Sequence, residues 1–168
     1  MLYDSSVGYL AGVCRRYVAD DDDVKDLLQN AYIKIFKQIG KFEYRGEGSL
    51  RAWMTRIVVN DSLKFLKPKR KFFPLGPVDE DRIDGVLLED PGPDALSGIP
   101  LEELLKMIRS LPPGYRTVFN LFVFEEKSHK EIASILGIKE NSSASQLFHA
   151  KAMLARLVNE YNKLHGDG

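Results

Sequence analysis

The sequence predicts an all-α protein, built as two small helical domains joined by a flexible, acidic linker rich in proline and glycine. Three observations carry that expectation. Apolar residues recur at the three- and four-residue spacing of an amphipathic helix on both sides of the chain's middle. No turn dipeptide flanked by alternating apolar residues marks a hairpin. Six of the eight prolines fall between Lys67 and Pro100, with Gly76, Gly85, Gly92 and Gly98 among them, a composition that opposes both a helix and a packed core. The expected boundaries are residues 1–67 for the first domain, 68–99 for the linker and 100–168 for the second domain.

The first helix is expected over about Ser5 to Val18, with Val7, Leu10, Ala11, Cys14 and Val18 on one side. The acidic run Asp20 to Asp23 opens the second, because carboxylates accept from the unpaired amides of a helix start and complement its positive end. Val24, Leu27, Leu28, Ala31, Tyr32, Ile35, Phe36 and Ile39 form its apolar stripe, and Gly40 ends it. A third helix starts near Ser49, runs through Leu50, Trp53, Met54, Ile57 and Val58, and ends by Pro68. Beyond the linker, Pro100 to Ser110 carries Leu101, Leu104, Leu105 and Ile108 on one side. Tyr115 to Phe124 has competing strand propensity, but no partner strand is evident, so a helix is expected.

Ser128 and Glu131 have the spacing of a capping box, and Gly137 suits the left-handed residue that closes a helix. Ile132, Ala133, Ile135 and Leu136 are the apolar side between them. A last helix runs from about Glu140 to Leu157, with Leu147, Ala150, Leu154 and Leu157 facing inward. Two helices broken by a glycine, with small Ala133 permitting close approach, form the pattern of a helix-turn-helix. The face opposite the apolar side of the last helix is expected to hold Asn141, Ser142, Ser145, Gln146, His149 and Arg156. These side chains suit phosphates and base edges, and Gln146 could pair with adenine.

The 168 residues carry 24 basic and 24 acidic side chains, for a net charge of zero. The charges are not evenly spread. From Ala31 to Lys71 there are eleven basic residues against three acidic ones, whereas Phe72 to Pro100 holds seven acidic residues against Arg82 alone. The local potential, not the sum, governs attraction to a polyanion. On the third helix Arg56, Asn60, Leu63, Lys64 and Lys67 recur at intervals of three and four. The segment just before it, FEYRGEGSL from Phe42 to Leu50, offers aromatics, a guanidinium and two glycines. Aromatics beside cations are what an unpaired strand needs, since each base requires a π-face and each phosphate a charge. Trp53 is read instead as core.

The single cysteine, Cys14, excludes an internal disulfide and is read as core filler in a reducing compartment. Neither a basic leader followed by an apolar stretch nor a membrane-length apolar run is present, so a cytoplasmic protein is expected. His129, His149 and His165 have no nucleophile or carboxylate constellation to join, which argues against catalysis and against a metal or other cofactor.

These segments together resemble the extracytoplasmic-function (ECF) sigma factors of the sigma-70 family. The run DLLQNAYIKIF from Asp26 to Phe36 resembles the family's second conserved region, and SLRAWMTRIVVN from Ser49 to Asn60 its promoter-melting part. LPPGYRTVF from Leu111 to Phe119, followed by SHKEIASILGI from Ser128 to Ile138, resembles the fourth region. The resemblance implies a DNA-binding, non-enzymatic subunit that gives RNA polymerase its promoter specificity. It implies that Asp26, Gln29, Asn30, Ile33 and Lys37 dock on the clamp helices of the polymerase's largest subunit. Phe42, Tyr44, Arg45 and Ser49, with Arg56, Asn60, Lys64 and Lys67, would hold the minus-ten DNA. Lys139, Asn141, Ser142, Ser145, Gln146, His149 and Lys151 would enter the major groove at the minus-thirty-five element. The linker would thread toward the RNA exit path, and an anti-sigma factor is an expected partner. Two positions depart from the pattern: Ala144 stands where relatives usually carry a base, and His149 where arginine is common. A stand-alone helix-turn-helix regulator is the competing reading; it accounts for the C-terminal helices but leaves the Asp26 face and the Tyr44 segment unexplained.

Overall fold

A computed structural model describes residues 2–67 and 98–165. Each described stretch encloses its own core, and the division between the two compact units falls between them. The expected linker lies outside the described residues except for Gly98 and Ile99. Ile99 is buried with Met107 and Val158, against Leu104, Leu154, Leu157 and Tyr161, so it belongs to the second unit's core rather than to a tether.

The first unit is a three-helix bundle of α1 (Leu2–Tyr17), α2 (Asp21–Gln38) and α3 (Ser49–Leu66). Leu10, Val13, Cys14, Val24, Ala31, Ile35, Met54, Val58 and Leu66 meet in its centre, and full burial of each larger aliphatic side chain contributes about 1.5–3 kcal/mol. Asp20 caps α2, its Oδ1 accepting from the amides of Asp22 and Asp23 at 2.9 and 3.0 Å. A 3-10 turn, Ile39–Lys41, finishes α2 where Gly40 interrupts the stripe.

Polar contacts join each pair of helices. The Ser6 and Tyr32 hydroxyls lie 2.7 Å apart between α1 and α2. Lys34 Nζ on α2 donates to Asp61 Oδ1 on α3 at 2.5 Å. Ser62 on α3, donating to the Val58 carbonyl at 2.8 Å, lies 3.6 Å from Cys14 Sγ on α1. Burial pushes the Cys14 thiol up, so it stays protonated as part of the core.

The second unit holds α4 (Leu101–Ser110), α5 (Pro113–Val123), α6 (His129–Leu136) and α7 (Glu140–His165). Pro113 at the first position of α5 needs no amide partner there, and the valine- and aromatic-rich segment forms the expected helix. Arg116 of α5 is buried, and its Nη1 donates to the Arg109 carbonyl in the last turn of α4 at 2.9 Å. The cation thus meets the negative end of a helix, although desolvation still lowers its pKa. No helix among the described residues is long and apolar enough to cross a membrane.

Candidate polymerase and nucleic-acid interfaces

Asp26, Gln29, Asn30, Ile33 and Lys37 all lie on the solvent side of α2. Residues three and four apart share a face, so the five form one strip with Ile33 near its middle. The Ile33 side chain is 47% exposed, and Phe36 and Ile39 beside the strip are also open to solvent. The apolar stripe expected along α2 therefore reaches the core only as far as Ile35. Apolar residues set among polar ones on an exposed face are suited to a protein partner.

The segment between α2 and α3 is shaped by two glycines with positive φ, Gly46 at 120° and Gly48 at 82°, a conformation that side chains oppose. Ser49 fixes the turn: its Oγ accepts from the Arg45 amide at 3.2 Å, and its own amide returns to the Gly46 carbonyl at 3.2 Å. Phe42 is half-buried against Trp53, ring centroids 5.2 Å apart. Trp53 is likewise half-buried. Tyr44 is 72% exposed, and Arg45 is also exposed, 3.6 Å from Glu43. On α3 Arg56, Asn60 and Lys64 are exposed and Leu63 is buried, and Lys67 just past its end is exposed. The segment thus offers one free ring, with cations and an amide on the helix that follows it. Phe42 and Ser49 hold its shape.

In the second unit, Ser128 caps α6: its Oγ accepts from the Glu131 amide at 3.1 Å, and Glu131 Oε1 accepts from the Ser128 amide at 3.2 Å. Those bonds hold the Glu131 carboxyl below its ordinary pKa, the backbone bond most of all. Gly137 turns the chain at φ 69°, and the Ile138 amide reaches the Ala133 carbonyl at 3.1 Å. His129 braces the motif, its Nδ1 2.8 Å from Ser143 Oγ and its ring stacked on Phe122 at 4.8 Å.

The placement of α7 corrects the sequence reading. Gln146 is 1% exposed and His149 9%, so neither stands on the open face where it was expected. His149 stacks on Tyr115 of α5 at 5.6 Å, with burial lowering its pKa. Ser142 and Ser145 are half-buried. The open strip consists of Glu140, Asn141, Ala144, Phe148 and Lys151, with Lys139 just before it. At about 100° per residue, this face is turned by nearly one residue from the expected one. The cause is packing: α7 lies against both α5 and α6, so its first half buries a broad arc that takes in polar Ser143, Gln146 and His149.

Sigma-70 region 2 matches residues 2–72 and sigma-70 region 4 matches residues 101–154. The ECF RNA polymerase sigma-E factor of Escherichia coli is 30% identical over 158 residues, covering 89% of this chain and 80% of that protein. This chain belongs to the ECF group of the sigma-70 family. The sigma-E factor of Haemophilus influenzae is 29% identical over 156 residues, covering 89% of this chain and 81% of that protein. The solved structure of the sigma factor RpoE in complex with the anti-sigma factor NepR from Bartonella quintana shares the fold, with a TM-score of 0.52 and 19% identity over 94% of each chain.

Sigma factors of this family are transcription initiation factors rather than catalysts of a reaction, and they direct RNA polymerase to specific promoters; that is the function of this chain. The middle of the open strip of α7 lacks side-chain hydrogen-bonding groups. Ala144 and Phe148 occupy its centre, and sequence reasoning passed over Phe148 because an aromatic residue at helical spacing normally reads as core. The signal that reveals it is geometric: inward positions at 143, 146, 147 and 150 leave 144 and 148 outside.

Proposed function

We propose that the first unit grips core RNA polymerase and the unpaired minus-ten strand while the second reads the minus-thirty-five duplex. In this reading residues 1–67 act as sigma region 2, residues 68–98 as a tether and residues 99–168 as region 4. Asp26, Gln29, Asn30, Ile33 and Lys37 dock on the clamp helices of the largest polymerase subunit. Tyr44 supplies the π-face for an unpaired base, Arg45 and Asn60 contact it or its phosphate, and Arg56, Lys64 and Lys67 steady the backbone. Phe42 and Ser49 hold the segment in shape. In region 4, Lys139 and Lys151 meet phosphates, and Asn141, Ser142 and Ser145 approach base edges. An anti-sigma factor is a further expected partner, supported by the fold shared with RpoE, which was solved bound to one. The protein acts wherever the polymerase does, in the cytoplasm.

The observation that carries this reading is the exposed α2 strip centred on Ile33, which a stand-alone regulator would not need. Purified chain added to core polymerase is expected to direct initiation from a defined start site. Ile33→Asp should weaken core association at least tenfold without loss of helix content. Tight binding to duplex DNA in the absence of core polymerase would instead favour the regulator.

A further inference from the structure

The open strip of α7 presents a carboxamide at Asn141, a methyl at Ala144, a phenyl ring at Phe148 and an ammonium at Lys151, all within one face. Phe148 is 46% exposed, and its ring stands edge-on to His149 at 5.8 Å, with an interplanar angle of 82°. His149 is itself fixed by the stack on Tyr115. The exposed ring thus has a buried neighbour against one side. Lys139 and Lys151 lie at the ends of the strip and Glu140 is its one carboxylate, a balance compatible with phosphates at the margins and apolar contact in the middle.

Of the groups that a base pair shows in the major groove, the thymine 5-methyl is the one matched by apolar side chains such as Ala and Phe. Gln146 and His149, two side chains of this segment able to hydrogen-bond base edges, are enclosed. We propose that Ala144 and Phe148 are specificity-determining residues that read thymine methyl groups in the upstream promoter duplex. This rests on the assignment of α7 to duplex recognition and adds the chemistry of what it reads.

The test uses the full chain with core polymerase. Preferred upstream elements are first selected from duplexes randomised in the minus-thirty-five region, with a fixed downstream promoter. Each thymidine in the selected element is then replaced singly by deoxyuridine, which removes the methyl and leaves every hydrogen-bonding group in place. At one or more positions the replacement is expected to weaken promoter complexes about fourfold, the worth of one buried methyl-sized group. Phe148→Ala should cost a similar factor on the thymidine duplex and nothing further on the deoxyuridine duplex, whereas Phe148→Leu should keep the discrimination. Equal binding of thymidine and deoxyuridine at every position overturns the proposal, as does full methyl discrimination by Phe148→Ala. If selection yields no upstream preference at all, the assignment of α7 to duplex recognition fails with it. Because the base replacement leaves the protein untouched, the result does not depend on how a variant folds.

Discussion

A primary amide sealed from water with neither end paired costs free energy, and Gln146 is such a group: both Oε1 and Nε2 lack a protein partner inside the second unit. An apolar residue of similar volume removes that penalty. Gln146→Leu is therefore expected to raise stability by about 1–2 kcal/mol in urea unfolding and to leave promoter selection unchanged, since the side chain does not reach the surface. A shift in base preference would return Gln146 to the DNA face. His149, one turn on, makes a second prediction. Burial lowers its pKa, so the unfolded chain binds a proton that the folded chain refuses. Stability is then full above histidine's ordinary pKa of about 6.5 and falls as pH drops through that value toward the lower folded one. His149→Phe, which keeps a ring against Tyr115, should flatten this part of the stability profile between pH 8 and 5. An unchanged slope would mean that other groups produce it.

Helix ends were legible in the sequence because capping is local chemistry: Asp20, the Ser128 and Glu131 pair, and Gly137 each close or open an element where their spacing says they should. The true length of α7 was less legible. It continues to His165, past Leu157, because no proline or glycine stops it before Gly166. Its rotation was hidden for a different reason: a helix enclosed by two neighbours buries polar side chains that periodicity assigns to solvent. The α2–α3 tie was invisible too, since nothing in the sequence pairs Lys34 with Asp61. Lys34 is partly exposed, which by itself suggests a pair worth little, but Asp61 is buried. The carboxylate left behind decides the magnitude. Lys34→Ala should cost about 1–3 kcal/mol in urea unfolding of the full chain, and a loss near zero would show that water replaces the lysine.

Across the whole molecule, a net charge of zero conceals a basic block and an acidic block, and the family assignment agrees with the blocks rather than with the sum. The two-unit organisation was readable from proline placement, but the start of the second unit was not, because Ile99 looks like one more linker residue until its packing on Met107 and Val158 is seen. Each unit encloses a separate core, so a fragment of residues 1–71 is expected to retain its helical circular dichroism and to unfold cooperatively by itself, with the modest stability of a small domain. A fragment without helical signal would show that its core is incomplete. The polar links among α1, α2 and α3 bear on promoter architecture. The proposed polymerase strip on α2 and the side chains around α3 proposed to hold the strand belong to one solid body, so in that reading the offset between the enzyme and the melted bases is fixed by a gauge block. Any allowance for promoters whose two elements stand at different separations has to be supplied from outside residues 2–67.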